Sequence, residues 1–254
     1  MGDAKRLEVK PISAADATRI VKQLHYSGKV DPRSQLHLGV FLDGKCGGAM
    51  QFGPSMQKSS MIGLVEGTGW NEFTELNRMA FADWLPRNSE SRAIGFAFRW
   101  MRKTYPHIKW CISFADGCQC GDGAIYRASG FALTAIKPNS SMWRVASGEV
   151  LCDAVTRMKG STNVRERIGF SVGEKWSAFA KRTGAKKLEG FQLRYIYFLD
   201  PTARERLTVP ILPFSEIARR GAGMYKGKPR VTSAGSGTPD IQSGGGGAIP
   251  TVTL

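Results

Sequence analysis

Residues 73–136 alternate between the two-residue period of a strand and the 3.6-residue period of a helix. This alternation restricts the fold more than any other feature of the chain. Phe73 to Phe81 reads as a strand. Pro86 and the polar turn Asn88 to Ser91 follow, and then a helix from about Ser91 to Thr104. Lys109 to Phe114 is a compact apolar run, the pattern of a buried parallel strand. Gly123 to Ser129 predicts a short helix stopped by Gly130, and Phe131 to Ile136 a further strand. Strand–helix–strand–helix–strand indicates an α/β fold, with a central mixed sheet flanked by helices.

The flanking segments extend this frame. Ser13 is a good N-cap for a helix whose Ala17, Ile20, Val21 and Leu24 recur at helical spacing. That helix stops near Tyr26-Ser27-Gly28, which leaves His25 and Tyr26 at its C-terminal end. Leu36 to Leu42 and Cys46 to Phe52 form a hairpin across Asp43-Gly44, a strong turn signal. Trp143 to Val145 and Glu149 to Cys152 predict short strands, and Glu174 to Arg182 a helix. Arg194 to Leu199 predicts a closing strand ended by Asp200-Pro201. From Val231 the chain is rich in Ser, Gly, Pro and Thr and is expected to be disordered. The expected organisation is a single domain over residues 1–230, elaborated at 137–193, and a tail at 231–254.

Charge points to a partner. Of 254 residues, 36 are Lys or Arg and 21 are Asp or Glu, a net charge of +15. Residues 161–230 hold 15 basic and 6 acidic side chains, a net +9. Such an excess suits a polyanion, most often nucleic acid. A hydrophobic fraction of 42% excludes wholesale disorder. No run of about 18 apolar residues suggests a membrane span. Met1 to Arg6 lacks the apolar core of a secretory signal, and the expected compartment is the cytoplasm. The five cysteines, Cys46, Cys111, Cys118, Cys120 and Cys152, are an odd number at irregular spacing, which argues against a disulfide framework. Cys118-Gln119-Cys120 has no second pair at zinc-site spacing, so reduced cysteines in and around a core are expected.

Two motifs bracket the apolar strand. Arg92-Ala93-Ile94-Gly95-Phe96-Ala97 fits R-x-x-G-x-A and is read as opening a helix. A first helical turn offers unpaired N–H groups to a pyrophosphate, and a glycine lets it approach the backbone closely. The plainer reading is an amphipathic helix with a small residue at a packing point. Ala124 to Phe131 follows as A-x-x-Y-x-x-x-G-F. In this order the pair resembles the GNAT superfamily of N-acyltransferases. The resemblance implies acyl-CoA binding at Arg92, Gly95 and Ala97, and Tyr126 as the acid that protonates a departing thiolate. The approach loop Asp83 to Glu90, long and containing Pro86, departs from that pattern.

A wider set narrows the resemblance. It comprises Leu24-His25-Tyr26-Ser27-Gly28, Leu38 to Phe41, Gly48 to Gly53, Glu75-Leu76-Asn77-Arg78-Met79, Ser113-Phe114-Ala115-Asp116 and Arg194 to Phe198. In order and spacing it is similar to the Mom family of Mu-like phages, over most of residues 20–200. That resemblance implies a GNAT-like transferase that places a carbamoylmethyl (acetamido) group on the exocyclic amine of adenine in double-stranded DNA. Such a modification protects phage DNA from host restriction. It also implies a link to iron.

The chemistry sorts the candidates. The adenine amine is a poor nucleophile, because its lone pair is delocalised into the ring. It must be taken out of the duplex, set against an activated carbonyl and relieved of a proton. His25 suits a base or a metal ligand, or a helix-terminal histidine on the dipole. Asp116 ends the buried strand, either as a functional carboxylate or as the turn former before Gly117. Arg78 on an apolar strand could stabilise an oxyanion or simply face outward. Tyr126 is the general acid or a core aromatic against Phe131. His25, Tyr26 and Asp116 make a mixed N/O set that iron tolerates. The acyl donor is acyl-CoA or a glycyl group activated as a thioester or ester. Two other readings stand beside this one. They are an ordinary acetyl-CoA-dependent N-acetyltransferase, and a non-catalytic DNA-binding module on the same fold.

Overall fold

The computed structural model describes residues 3–157 and 162–230, so the predicted tail at 231–254 lies outside the described residues. The elements are β1 (Leu7–Pro11), α1 (Ala14–Leu24), β2 (Leu36–Leu42), β3 (Lys45–Gly53), α2 (Lys58–Met61), β4 (Phe73–Phe81), α3 (Ser89–Thr104), β5 (Trp110–Asp116), α4 (Ala124–Ala128) and β6 (Ala132–Pro138). Then come β7 (Met142–Arg144), β8 (Val150–Cys152), α5 (Thr162–Ile168), α6 (Trp176–Thr183), β9 (Lys186–Lys187), β10 (Phe191–Phe198), α7 (Ser215–Arg219), β11 (Met224–Tyr225) and β12 (Lys228–Pro229).

Local chemistry explains the N-terminal half. The Ser13 side chain accepts from the Asp16 N–H at 3.0 Å and caps α1. Asp43 and Gly44 both have positive φ, 51° and 80°, as a two-residue turn between twisted strands requires. β1 is an edge strand the sequence reading did not name. It is only five residues long, and it pairs antiparallel with β2 from Leu7↔Leu42 to Pro11↔Leu38.

Seven strands form one sheet in the order β1-β2-β3-β4-β5-β10-β6. Every neighbouring pair is antiparallel except β4–β5. This is the expected α/β fold with a central mixed sheet, and β4-α3-β5 is its parallel crossover unit. On one face Ala93, Ile94, Ala97, Phe98 and Met101 of α3 pack on Leu38, Met50, Phe52 and Leu76. On the other, Ala17, Ile20 and Val21 of α1 pack on Ala49 and Ala80. The closing strand, β10, slots between β5 and β6, antiparallel to both. One expectation changes. Helix α3 begins at Ser89, after the left-handed Asn88 (φ 69°), rather than at Ser91.

Between β6 and β10 the chain leaves the sheet. There Val145, Leu151, Phe170, Trp176, Phe179 and Ala185 form a separate hydrophobic cluster beside the small sheet β8-β7-β9. Buried Asn139 ties the neck of this insertion. Its Oδ1 accepts from Ser141 N and Met142 N, and its Nδ2 donates to Met142 O and Leu188 O at 2.7–3.1 Å. The insertion lies within the elaboration expected at 137–193. Residues 139–190 hold 10 basic and 5 acidic side chains, a net +5. Residues 201–230 hold 7 basic and 2 acidic, also a net +5, so the late positive charge is split between two segments. The second segment returns to β6 through the bridge Leu133↔Leu212 and to the loop before α4 through Gly121↔Tyr225.

Candidate active site

β4 and β5 pair only from Phe73↔Trp110 to Glu75↔Ile112 and then part. At the parting, β4 carries a bulge. Its register with β3 passes from Leu76↔Phe52 to Arg78↔Gln51 and skips Asn77. The buried Asn77 side chain stitches two loops, accepting from Ser34 Oγ at 3.1 Å and donating to Pro54 O at 3.4 Å. Only glycine fits at position 53, where a Cβ would meet Arg33 O at 2.5 Å and Asn77 Oδ1 at 2.9 Å. The gap between the strands is bridged by Ser113, whose hydroxyl donates to Leu76 O at 3.3 Å.

Tyr126 reaches this gap from α4. Its ring lies 5.2 Å from both Phe131 and Tyr195, and Ser113 is the polar side chain in range of its hydroxyl. Burial pushes that hydroxyl up to about 12, so it stays protonated at neutral pH. The ring is packed in the core against Phe131, as the plainer of its two sequence readings has it.

His25 and Tyr26 come from the C-terminal end of α1. Gly28, with φ +60°, turns the chain there, and its N–H donates to His25 O at 2.8 Å. The two rings lie 4.2 Å apart. The Ser27 N–H donates to His25 Nδ1 at 3.2 Å, and Ser27 Oγ lies 2.7 Å from the same atom. Burial, and then the Arg78 charge, lower the His25 pKa to about 4. The ring is therefore neutral at pH 7, with Nδ1 an acceptor and the proton on Nε2. Tyr26 is 51% exposed as a residue, but loss of water around its hydroxyl, with the charge of Asp116 and the thiol of Cys120 in range, raises its pKa.

Arg78 and Asp116 complete the cluster. Arg78 Nε donates to Lys29 O at 2.9 Å and Nη1 to Asn77 O at 2.6 Å, so two of its three nitrogens hold the bulge and the loop after α1. Asp116 Oδ1 accepts from Cys118 N at 3.0 Å and Gln192 Nε2 at 2.8 Å, and Oδ2 from Gln119 Nε2 at 2.7 Å. It is both the turn former and a fixed negative charge beside Tyr26. Thus residues scattered over a hundred positions come within electrostatic range of one another: Arg78 acts on His25, and Asp116, Tyr126 and Arg78 act on Tyr26.

Glu75 belongs to this site and was not among the sequence candidates. It is the last β4 residue paired with β5, and it lines a cleft of about 370 Å³ together with Arg78, Phe114 and Arg194. Burial raises its pKa, against a hydrogen bond from Ser55 and the charges of Arg33 and Arg78. An acid two residues beyond Phe73, on the same face of a largely buried strand, was the available signal.

Arg92, Gly95 and Ala97 are elsewhere. With α3 starting at Ser89, they sit in its second and third turns, not its first. Ala97 is fully buried in the core, and Arg92 Nη2 lies 3.5 Å from Lys5 O beside β1. A Cβ at Gly95 would meet only Arg99 Nη1, at 3.6 Å. The first turn itself carries the acidic Glu90, which opposes a phosphate there. The expectation that Arg92 opens the helix is therefore corrected, because α3 starts three residues earlier, at Ser89.

The metal set is also ill suited. The Ser27 N–H occupies Nδ1 of His25, so a metal would have to displace the proton from Nε2, and Asp116 is already held by Cys118 N, Gln119 and Gln192. Among the described residues no three His, Cys, Asp or Glu side chains are grouped to hold a metal ion.

The model of the Mom protein family matches residues 6–216. The methylcarbamoylase Mom of Escherichia phage Mu is 35% identical over 213 residues, which cover 82% of this chain and 82% of that protein. Among solved structures, the spermidine/spermine N-acetyltransferase SpeG of Vibrio cholerae is similar at 7% identity and a TM-score of 0.44, over 80% of this chain and 98% of its own. The ribosomal-protein-S18-alanine N-acetyltransferase of Escherichia coli is similar at 11% identity and a TM-score of 0.42, over 76% of this chain and 94% of its own. With a family match over residues 6–216 and a methylcarbamoylase relative matched over 82% of its length at 35% identity, the chain belongs to the Mom protein family.

Proposed function

We propose that this protein is a DNA-modifying transferase that converts adenine in duplex DNA to its N6-carbamoylmethyl form. The observation that carries the reading is the 35% identity, across 82% of both chains, to a protein named for methylcarbamoylation. The site supplies groups suited to acyl-type transfer. The adenine amine attacks the carbonyl of an activated glycyl ester or thioester, and Glu75, whose raised pKa makes it a stronger base than an ordinary carboxylate, takes the N6 proton. The His25 Nε2–H donates to the developing oxyanion. Tyr126 returns a proton to the leaving oxygen or sulfur. The glycyl amine of this N6-glycyl adduct then attacks ring carbon 6. Cleavage of the original carbon–nitrogen bond gives the carbamoylmethyl isomer with no change in composition.

The amine of adenine projects into the major groove, so a bulky group there removes a donor that restriction enzymes read. The net +5 of residues 139–190 suits that segment to handling the phosphate backbone. The reaction belongs in the cytoplasm of a bacterial host, where the DNA is. The test is expression in a bacterium, digestion of plasmid DNA to nucleosides and mass spectrometry. Deoxyadenosine heavier by a carbamoylmethyl group is expected. Folded protein with unmodified deoxyadenosine overturns the reading. Isotope-labelled glycine is expected to supply both carbons of the group.

A further inference from the structure

Phe114 is a misfit by burial alone. It lies within β5, which has strands on both sides, yet 39% of it is exposed, and its ring lines the cleft beside the β4–β5 gap. Directly opposite on β10 is Arg194. The Arg194 guanidinium is held in place, with Nε donating to Thr134 Oγ1 at 2.9 Å and Nη2 to Thr134 O at 3.2 Å. Lys137, paired with Gln192 in the sheet, lines the same cleft. On the other side stands Glu75. It pairs with Ile112, and Phe114 lies two residues further along β5 on the same face, about 7 Å away along the strand. Met142 of the insertion neck also lines the cleft. A flat apolar ring, an acceptor at one edge, and at the other a fixed arginine with a lysine beside it make a site for a planar, amine-bearing base on a phosphate chain.

We propose that this cleft receives the target adenine after it leaves the helix. Its ring stacks on Phe114, its N6 amine donates to Glu75, and the flanking phosphate meets Arg194 and Lys137. The inference rests on the DNA-adenine reading above and adds where the base sits. A volume of about 370 Å³ is within the usual range for small-ligand sites, about 300–1,000 Å³. Extrahelical bases are generally read this way, by stacking on a side chain and by hydrogen bonds to the exposed edge.

The test compares wild type with Phe114→Ala, Phe114→Leu and Phe114→Tyr. The readouts are the rate at which carbamoylmethyl-deoxyadenosine accumulates after induction in bacteria, and the affinity of each purified protein for a labelled duplex. Loss of a base–aromatic stack is expected to slow Ala and Leu between about 5- and 150-fold. Tyr should stay within about threefold of wild type, and duplex affinity should be nearly unchanged in all three. Leu keeps apolar bulk, so its failure separates stacking from packing, and circular dichroism checks the fold. If wild type is active and Ala or Leu matches it, the adenine is not stacked on Phe114 and the proposal falls. If wild type leaves DNA unmodified, the parent reading falls, and this one with it.

Discussion

The backbone N–H of Ser27 points its hydrogen at Nδ1 of His25, 3.2 Å away, and that contact decides which nitrogen of the histidine carries the proton. A donor on Nδ1 forces the neutral ring to present Nε2–H. With the pKa lowered to about 4 by burial and by Arg78, the ring stays in that form across the physiological range. In the proposed reaction His25 therefore serves as a hydrogen-bond donor through Nε2.

The Nε2–H can be tested by replacement. The amide of Gln places an N–H near Nε2, whereas Asn places one near Nδ1. His25→Gln is expected to keep activity within about tenfold, and His25→Ala to lose about 10²–10³ in rate, as for a lost oxyanion donor. Asn is expected to behave as Ala. The pH–rate curve should show no inflection near 6.5. Because folding lowers this pKa, the unfolded chain binds the extra proton. Stability should therefore fall as pH drops from about 6.5 through about 4, and this acid limb should flatten in His25→Gln thermal melts.

Glu75 titrates in the opposite sense. Its folded pKa is raised, so activity that needs the carboxylate climbs with pH through a value above the ordinary glutamate range. Glu75→Gln is expected to cost about 10²–10⁴ in rate and to abolish that limb. The ionised buried carboxylate also opposes folding at pH 7. The variant should therefore melt no lower than wild type, so the activity loss is not a folding defect.

Gly95 distinguishes a helix interior from a phosphate cradle. A methyl group there meets only the flexible end of Arg99, and alanine favours a helix over glycine by about 0.5–1 kcal/mol. Gly95→Ala should raise the thermal midpoint with modification of DNA unchanged. A fall in modification at intact stability would restore the cofactor role of Arg92 to Ala97.

Trp176 holds the insertion together. Its ring is 5.1–5.5 Å from Phe170, Phe179 and Trp143, and its Nε1 donates to Thr156 Oγ1 at 3.2 Å. Trp176→Ala removes about 3–5 kcal/mol from this small core. Amides of α6 should lose hydrogen-exchange protection while those of β4 and β5 keep it. Duplex affinity should fall several-fold. Unchanged affinity with a melted insertion would assign DNA handling to residues 201–230 instead.

Much of the candidate site was legible because its members announce themselves locally. His25 and Tyr26 sit at a helix end, Asp116 at a strand end and Tyr126 after Gly123, each position readable from a few neighbours. Glu75 was not, because an acid in a strand looks the same whether it faces water or a cleft, and only the parting of β4 from β5 decides that. The segment Arg92 to Ala97 failed for the converse reason. Its pattern is local, but the start of α3 depends on Asn88 taking a left-handed turn and Ser89 bonding back to Pro86 O at 2.5 Å.

Periodicity and turn chemistry act over a few residues. The sequence by itself therefore determined the alternating elements of 73–136, the Asp43-Gly44 hairpin, the Ser13 cap and the α/β class. Strand order is set by contacts between residues far apart in the chain. Arg194 to Phe198 would read alike at an edge or in the middle, and only packing put β10 between β5 and β6. That placement sets Arg194 opposite Phe114 and Gln192 against Asp116. Tertiary structure also decided the charge states, since desolvation and distant charges, not residue type, keep His25 neutral and Glu75 basic.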